Sequence, residues 1–559
     1  MVWVGHEVGV TREPQGADSE GQAATNHTVA GAPTISGPPR WRPRFPASIG
    51  VLLSVSLVLF FGFWLLDVFF FGRRSPAAAN FGAWRLLVEF DPETLQNALG
   101  NLAQVVAAVL GIVITVVSIV VQLAATRYTP RIGKMFFRDR KNLAILGFFV
   151  VACINAVWVS IVVTGGFVPR LSVAATAVMV TGSLLLLIPY FAYVFAFLDP
   201  EKVIDRIGHQ VLDAVLGRGS ARRDRDHLDV RQAACVGGLE HLSDVAVNTI
   251  AQKDKIIATD AVAALREFAV KYLKEKRNLP PEWFVVGARA RANPDFIALA
   301  PDALRTMERK RVWVEWKVLR HFRSIFGEVA EHLPEMSHVL SIETRYIGEE
   351  ALKQDDRDVL VLTMRYFNTF LRTAINHHNV RTCYNICHQY RLLAEHMMRR
   401  GHGDLLPEIG RCFAYYGQTA HRADLRFVTE TAAHDLGVLC ERAFERQHHC
   451  HDQLLGHFLE VDKVNEGGEE EQALRGVRKA QMRLGTFYLA NGGADHADRI
   501  AADMRGEKPE RLASIRAELL SVTDREFWEV TDRGVNFDFL DQSRKEKLAD
   551  LFARITMKG

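Results

Sequence analysis

Residues 102–125 read LAQVVAAVLGIVITVVSIVVQLAA, a stretch without a charged side chain. A membrane-spanning α-helix needs about 18 or more predominantly apolar residues, so this stretch is long enough to cross a bilayer. Three further apolar stretches, at 49–71, 143–164 and 171–198, meet the same requirement. The sequence therefore predicts a membrane domain over residues 48–200 that contains four transmembrane helices.

The second stretch has one face made of small and polar residues. They recur at alternating spacings of three and four, which is the period of a coiled-coil seam. Two interpretations are open: the seam lets helices pack closely and hydrogen-bond within lipid, or it lines a water-filled path in an oligomer. The candidate seam residues are Asn101, Gln104, Gly111, Thr115, Ser118 and Gln122.

The second helix is expected to extend beyond the bilayer. Asp91-Pro92-Glu93 has the features of a helix start, with an N-cap acid followed by proline in the first turn. A helix from there to about Thr126 would be roughly 50 Å long, whereas the hydrocarbon core is about 30 Å thick.

Two polar side chains interrupt the other apolar stretches. Asp67, near the end of the first, is interpreted as a solvated interfacial acid, with a proton or ion site as the alternative. Asn155, in the third, is interpreted as the donor or acceptor of a packing hydrogen bond.

Basic residues in the short loops predict the orientation of the helices. Several arginines and lysines lie between the second and third stretches, and three arginines precede the first, whereas the loop before the fourth offers only Arg170. This distribution places both termini in the cytoplasm and makes the protein multi-pass.

The segment that follows the second stretch is basic and amphipathic. Thr129 and Pro130 can start a short helix that lies at the inner leaflet. It is interpreted either as a contact with anionic lipid headgroups or as a topology signal without lipid specificity. The candidate headgroup contacts are Arg127, Arg131, Lys134 and Arg138.

The same segment carries a family resemblance. It contains QLAATRYTPR at residues 122–131 and FFRDR at residues 136–140. These elements resemble an uncharacterised bacterial family of predicted membrane proteins with a domain of unknown function, and the resemblance holds mainly over residues 105–200. It implies a location in the bacterial cytoplasmic (inner) membrane and no assigned chemistry.

The remainder of the chain is expected to be mostly helical. Residues 1–47 are predicted to form a disordered cytoplasmic tail, residues 201–350 a cytoplasmic α-rich domain, and residues 351–559 a cytoplasmic helical array with repeat-like pairs. Short β-like pieces are expected at 283–286 and 296–299. The predicted fold is thus mainly α, with four transmembrane helices followed by a large cytoplasmic α-solenoid-like domain.

Catalytic and metal-binding motifs are weak. The chain has no P-loop, Gly-x-Ser-x-Gly elbow, His-Glu-x-x-His or kinase motif, so no enzyme activity or cofactor is expected. No metal site is predicted, because the spacing of the weak candidates Cys383, Cys387 and His388 matches no standard zinc motif. The net charge of +3 is too small to indicate nucleic-acid binding.

The expected function is that of a membrane-anchored scaffold or sensor whose cytoplasmic helical domain binds a partner protein. The alternative is an oligomeric ion channel or transporter lined by the second transmembrane helix. The expected partners are the lipid bilayer, anionic headgroups, a protein and further copies of this chain.

Overall fold

The computed structural model describes residues 45–71, 92–127, 133, 135–137, 139–163, 168–217, 225–463, 474–527 and 529–556. Every regular element among these residues is a helix, so the mainly α fold class is confirmed for the part of the chain described. The apolar region contains α1 (Phe45–Phe71), α2 (Pro92–Arg127), α3 (Arg140–Val162) and α4 (Arg170–Leu198).

The remaining helices follow directly and form the helical region. They are α5 (Pro200–Leu216), α6 (Arg225–Ala251), α7 (Lys255–Glu275), α8 (Ala288–Arg291), α9 (Pro294–Ile297), α10 (Pro301–Arg309), α11 (Trp313–His332), α12 (Ser337–Lys353), α13 (Arg357–Asn376), α14 (Val380–Arg399), α15 (Leu406–Arg422), α16 (Arg426–Glu445), α17 (His451–Phe458), α18 (Arg475–Ala490), α19 (Ala494–Asp503), α20 (Pro509–Ser521) and α21 (Gln542–Thr556).

Three helices are long and apolar enough to cross a membrane. They cover Pro92–Thr126, Arg140–Val162 and Arg170–Leu198, and α1 adds a shorter apolar stretch, Ser54–Asp67, among the residues described. The predicted length of the second helix is confirmed, because α2 runs without a break from Pro92 to Arg127. At 1.5 Å per residue it is about 54 Å long.

α3 lies at the centre of the apolar region and packs against α1, α2 and α4. The predicted packing hydrogen bond of Asn155 is confirmed: its Nδ2 donates to Oγ1 of Thr176 in α4 at 2.8 Å, and both side chains are buried. A buried amide in an apolar environment needs such a partner, so this pair helps to set the register of α3 against α4.

Asp67 is a helix cap and not a solvated acid. Its side chain is 0% exposed. Its carboxylate accepts hydrogen bonds from the backbone N–H groups of Leu171 and Ser172, at 2.8 and 3.0 Å, and from the Ser172 hydroxyl at 3.0 Å. The first N–H groups of a helix lack intrahelical partners. Asp67 of α1 supplies the acceptor for two such groups at the start of α4. The interpretation of Asp67 as solvated was therefore wrong.

The expected β-like pieces are also wrong. Pro281–Phe284 forms a 3-10 turn and Pro294–Ile297 forms α9. Proline at the first position of each element favours the start of a helical turn. The aromatic residues that suggested strands serve burial instead, since Trp283 packs beside Trp313 with ring centroids 5.5 Å apart.

The apolar core continues from the membrane helices into the helical region. One buried cluster extends from Val113 of α2 to Ile555 of α21. At the junction, the rings of Phe136 and Phe197 meet edge to face at 5.2 Å, and the guanidinium of Arg206 lies 4.0 Å from the Phe197 ring centre. The helical region is therefore packed onto the membrane helices and not merely tethered to them.

Helices of the helical region pack mainly on near neighbours in the chain. α5 contacts α6 and α7, α12 contacts α13 and α14, and α14 contacts α16. α16 in turn contacts α18, which packs against α19 and α21. The region is therefore built by successive addition of helices along one core.

Candidate functional site

The seam of α2 lies on the outer surface of the protomer. All six candidate seam residues are exposed, whereas Val106, Val113 and Val117 on another side of the helix are buried. A Cβ atom added at Gly111 would meet nothing within 4 Å. The protomer thus packs α2 through its valines and leaves the seam available to an outside occupant.

The predicted lipid contacts lie at the edge of what the structure describes. Arg131, Lys134 and Arg138 fall outside the described residues, and Arg127 is described only as the last residue of α2. Their contact with headgroups stays a prediction.

The two cysteines considered for metal binding are core residues. Cys383 and Cys387 of α14 are buried, and burial raises the pKa of Cys383 to about 12 and that of Cys387 well above its usual range. Burial also lowers the pKa of His388 to about 4, and its Nδ1 lies 3.0 Å from Arg391 Nη2. Among the residues that the structure describes, these three side chains do not form a metal-binding group.

A polar cleft of about 1490 Å³ opens in the helical region. α6, α11 and the short helices α8 and α9 supply most of its walls. Beneath it lies Lys317, which is only 1% exposed. Its ammonium donates to Asp295 Oδ2 at 2.5 Å and to Asn293 Oδ1 at 2.9 Å, and Glu240 Oε1 lies 3.6 Å away.

Acidic groups of this network are already engaged. Asp295 also accepts from Arg320 Nε at 3.3 Å, and Glu240 accepts a hydrogen bond from Asn293. Burial by itself raises the pKa of Asp295, but the hydrogen bonds and charges of Lys317 and Arg320 outweigh it and lower the pKa below its ordinary value. The carboxylate is therefore ionised and paired at neutral pH.

Two cleft residues are not engaged. His321 is 7% exposed, and its Nε2 is buried with no hydrogen-bond partner in the described part of the chain. Burial and the nearby charge of Lys317 lower the pKa of His321 to about 3, so the imidazole is neutral at pH 7. Arg323 is exposed at the cleft wall and makes no ion pair with any residue described. The unsatisfied groups are thus a cation and a neutral imidazole, which suit an anionic ligand group.

Sequence reasoning missed this cleft. The available signal was Lys317 and His321, which lie one helical turn apart on a predicted helix rich in large apolar residues. Charged residues on the buried face of a helix need partners, and such partners are often part of a site.

Comparisons with known proteins add little about activity. No curated protein matches this chain. A solved structure described as "Circular tandem repeat protein with novel repeat topology and enhanced subunit contact surfaces" aligns at 14% identity over 83% of this chain and 97% of its own. Its TM-score of 0.25 is too low to inform the fold.

One part of the chain matches a family model at the level of sequence. Residues 45–259 match the model of the family described as "Predicted membrane protein (DUF2254)". The match includes α1 to α6, and with them the wall of the cleft that α6 supplies. It confirms the resemblance seen around residues 105–200: residues 45–259 of this chain are similar to the uncharacterised predicted-membrane-protein family DUF2254.

Proposed function

We propose that the protein is a membrane-anchored sensor or scaffold of the bacterial inner membrane, with a cytoplasmic helical region that binds a protein partner. The proposal includes four transmembrane helices, both termini in the cytoplasm and an α-solenoid-like arrangement of the C-terminal helices. The observation that carries it is the polar cleft, because it combines a large volume with unsatisfied polar groups.

The partner is proposed to present an acidic segment. Asp295 and Glu240 are already paired with Lys317, so the cleft offers little uncompensated negative charge there. Arg323 remains available for a carboxylate, and a bidentate arginine–carboxylate contact is stronger than a neutral hydrogen bond. The neutral imidazole of His321 can donate a further hydrogen bond.

The position of the cleft supports a sensor. α6 forms one wall of the cleft and packs on α5. α5 begins at Pro200, directly after α4 ends at Leu198. Because the core is continuous across this junction, a shift of α6 on binding would reach α4 through packed side chains.

Site-specific photo-crosslinking in host membranes tests this proposal. A photoreactive amino acid replaces the exposed Ser324 at the cleft, or, as a control, the exposed Lys508 at the start of α20. We expect a discrete crosslinked protein at position 324 only, and its loss when Arg323→Glu is added. Identical products at both positions, or products that persist in Arg323→Glu, contradict the proposal.

A second candidate function is an oligomeric channel or transporter lined by α2. The exposed seam favours it, because amide side chains such as Gln104 and Gln122 are costly in hydrocarbon and need protein or water opposite them. An assembly of several copies would place the seams around a common axis.

Oligomeric state and flux test the channel. The full chain in nanodiscs should be larger than a monomer, and ion flux into liposomes should fall in Gln122→Leu. The matched control is Ile119→Leu, at an exposed apolar position of the same helix. A monomer, or equal flux in both variants, excludes the channel.

A further inference from the structure

Two histidines and an aspartate meet at the start of α17, in a part of the helical region away from the cleft. His451 and Asp452 are the first two residues of α17, and His496 lies in α19. One potential ligand atom from each of these side chains lies within 4.8 Å of the other two. These three residues form the His–Asp–His cluster.

We propose that the His–Asp–His cluster binds a divalent transition-metal ion of the zinc class. Nδ1 of His496 lies 3.6 Å from Oδ1 of Asp452. Two ligands that each lie about 2.1 Å from a tetrahedral zinc ion are separated by roughly 3.4 Å. The observed spacing therefore needs only a small adjustment to hold an ion between the two side chains.

An unpartnered nitrogen marks the same place. Nδ1 of His496 is buried and has no hydrogen-bond partner among the residues described. A buried acceptor or donor without a partner is destabilising. A metal ion supplies the missing partner, since neutral imidazole nitrogen is the commonest protein ligand of such ions.

His451 is held in an orientation that suits a ligand. Its Nε2 lies 2.7 Å from the hydroxyl of Tyr488, which is fully buried. Metal-binding histidines usually make such a bond through the nitrogen that does not touch the metal, so Nδ1 is left for the ion.

Asp452 provides the open side of the site. Its side chain is 70% exposed, and its Oδ1 accepts from Arg499 Nη1 at 2.8 Å. A ligating carboxylate is commonly hydrogen-bonded by a further group, and the exposed side chain of Asp452 can turn either oxygen toward the ion. Three protein ligands next to solvent leave a fourth position for water.

Metal retention by the full-length protein tests the proposal. The protein in nanodiscs is loaded with zinc, dialysed and analysed by mass spectrometry for bound metal. We expect about one tightly held zinc ion per chain in wild type, and its loss in His496→Gln and Asp452→Asn. His449→Gln is the matched control, because His449 is exposed and close in sequence but outside the cluster.

Tetrahedral coordination is tested separately with cobalt. Cobalt-loaded wild type should show strong visible absorption bands that are absent in Asp452→Asn. Because Asp452 is mostly exposed, Asp452→Asn should keep the thermal stability of the metal-free protein. This variant therefore still tests metal binding if His496→Gln fails to fold. No retained zinc in wild type, or equal retention in Asp452→Asn, overturns the proposal.

Discussion

The carboxylate of Asp67 accepts a hydrogen bond at 2.8 Å from the backbone N–H of Leu171, a residue 104 positions further along the chain. The bond joins the end of α1 to the first turn of α4. With the two bonds from Ser172 it satisfies donors that a helix start otherwise leaves open in an apolar environment. A side chain that interrupts an apolar stretch thus has a structural role in packing α1 against α4.

Removing this cap should weaken the apolar region. Asp67→Leu leaves the two N–H groups without an acceptor, and we expect a loss of about 2–6 kcal/mol, at roughly 1–3 kcal/mol for each unsatisfied buried group. Ser172→Ala removes one of the three bonds and should cost about 1 kcal/mol. Thermal unfolding of the full chain in detergent measures both. Equal stability of Asp67→Leu and wild type would show that the cap does not stabilise the fold.

Lys317 should be required for a stable helical region. Lys317→Met leaves the charges of Asp295 and Glu240 with less compensation in a largely buried network. Breaking a buried ion pair from one side typically costs about 3–5 kcal/mol. The double variant Lys317→Met with Asp295→Asn should recover part of this loss. Urea unfolding measures the stability of both variants. The coupling is contradicted if adding Asp295→Asn to Lys317→Met lowers the stability by as much as Asp295→Asn does in wild type.

The Asp295 pair also predicts a pH dependence. The folded-state pKa of Asp295 is lower than its ordinary value, so its ionised form stabilises the fold. That contribution is complete above the unfolded-state pKa of about 3.9 and disappears as the pH falls through the folded-state pKa. The difference in Tm between wild type and Asp295→Asn should therefore be constant near neutral pH and shrink below about pH 4. A difference that grows in acid would contradict this sign.

Cys383 and Cys387 should be inert in the folded protein. Both are buried, and burial raises the pKa of each thiol, so the reactive thiolate is scarce. Iodoacetamide should label them only after denaturation, whereas a cysteine introduced as Ser324→Cys at the exposed cleft wall should react at once. Peptide mass spectrometry distinguishes the sites. Rapid labelling of Cys387 in the native protein would mean that α14 opens readily.

The basic segment after α2 should bind anionic lipid. Replacing Arg127, Arg131, Lys134 and Arg138 by glutamine removes interactions worth about 1 kcal/mol for each residue near a negatively charged surface. We expect phosphatidylglycerol to raise the Tm of wild type and to have little effect on the fourfold variant. Arg289→Gln, at an exposed site of the helical region, is the control. An equal rise in Tm for wild type and the fourfold variant would mean that these basic residues act only as a topology signal.

Local spacing in the sequence determined the helices. The uncharged run at 102–125 identifies a spanning element, and Pro92 marks where it begins, because both properties depend on residues within one or two helical turns. The same reasoning failed at 283–286 and 296–299, where aromatic residues signal burial and not strand formation. It also identified Asn155 as a hydrogen-bonding residue without naming its partner, Thr176.

Only the tertiary structure decided which residues meet. The cap of α4 by Asp67, the pairing of Lys317 with Asp295 and Glu240, and the approach of His451 to His496 join positions on different helices. It also decided that α2 packs through its valines and presents its polar seam outward. Periodicity gives a helix two distinct faces, but the partner of each face depends on how the whole core packs, and many pairings satisfy the same local pattern.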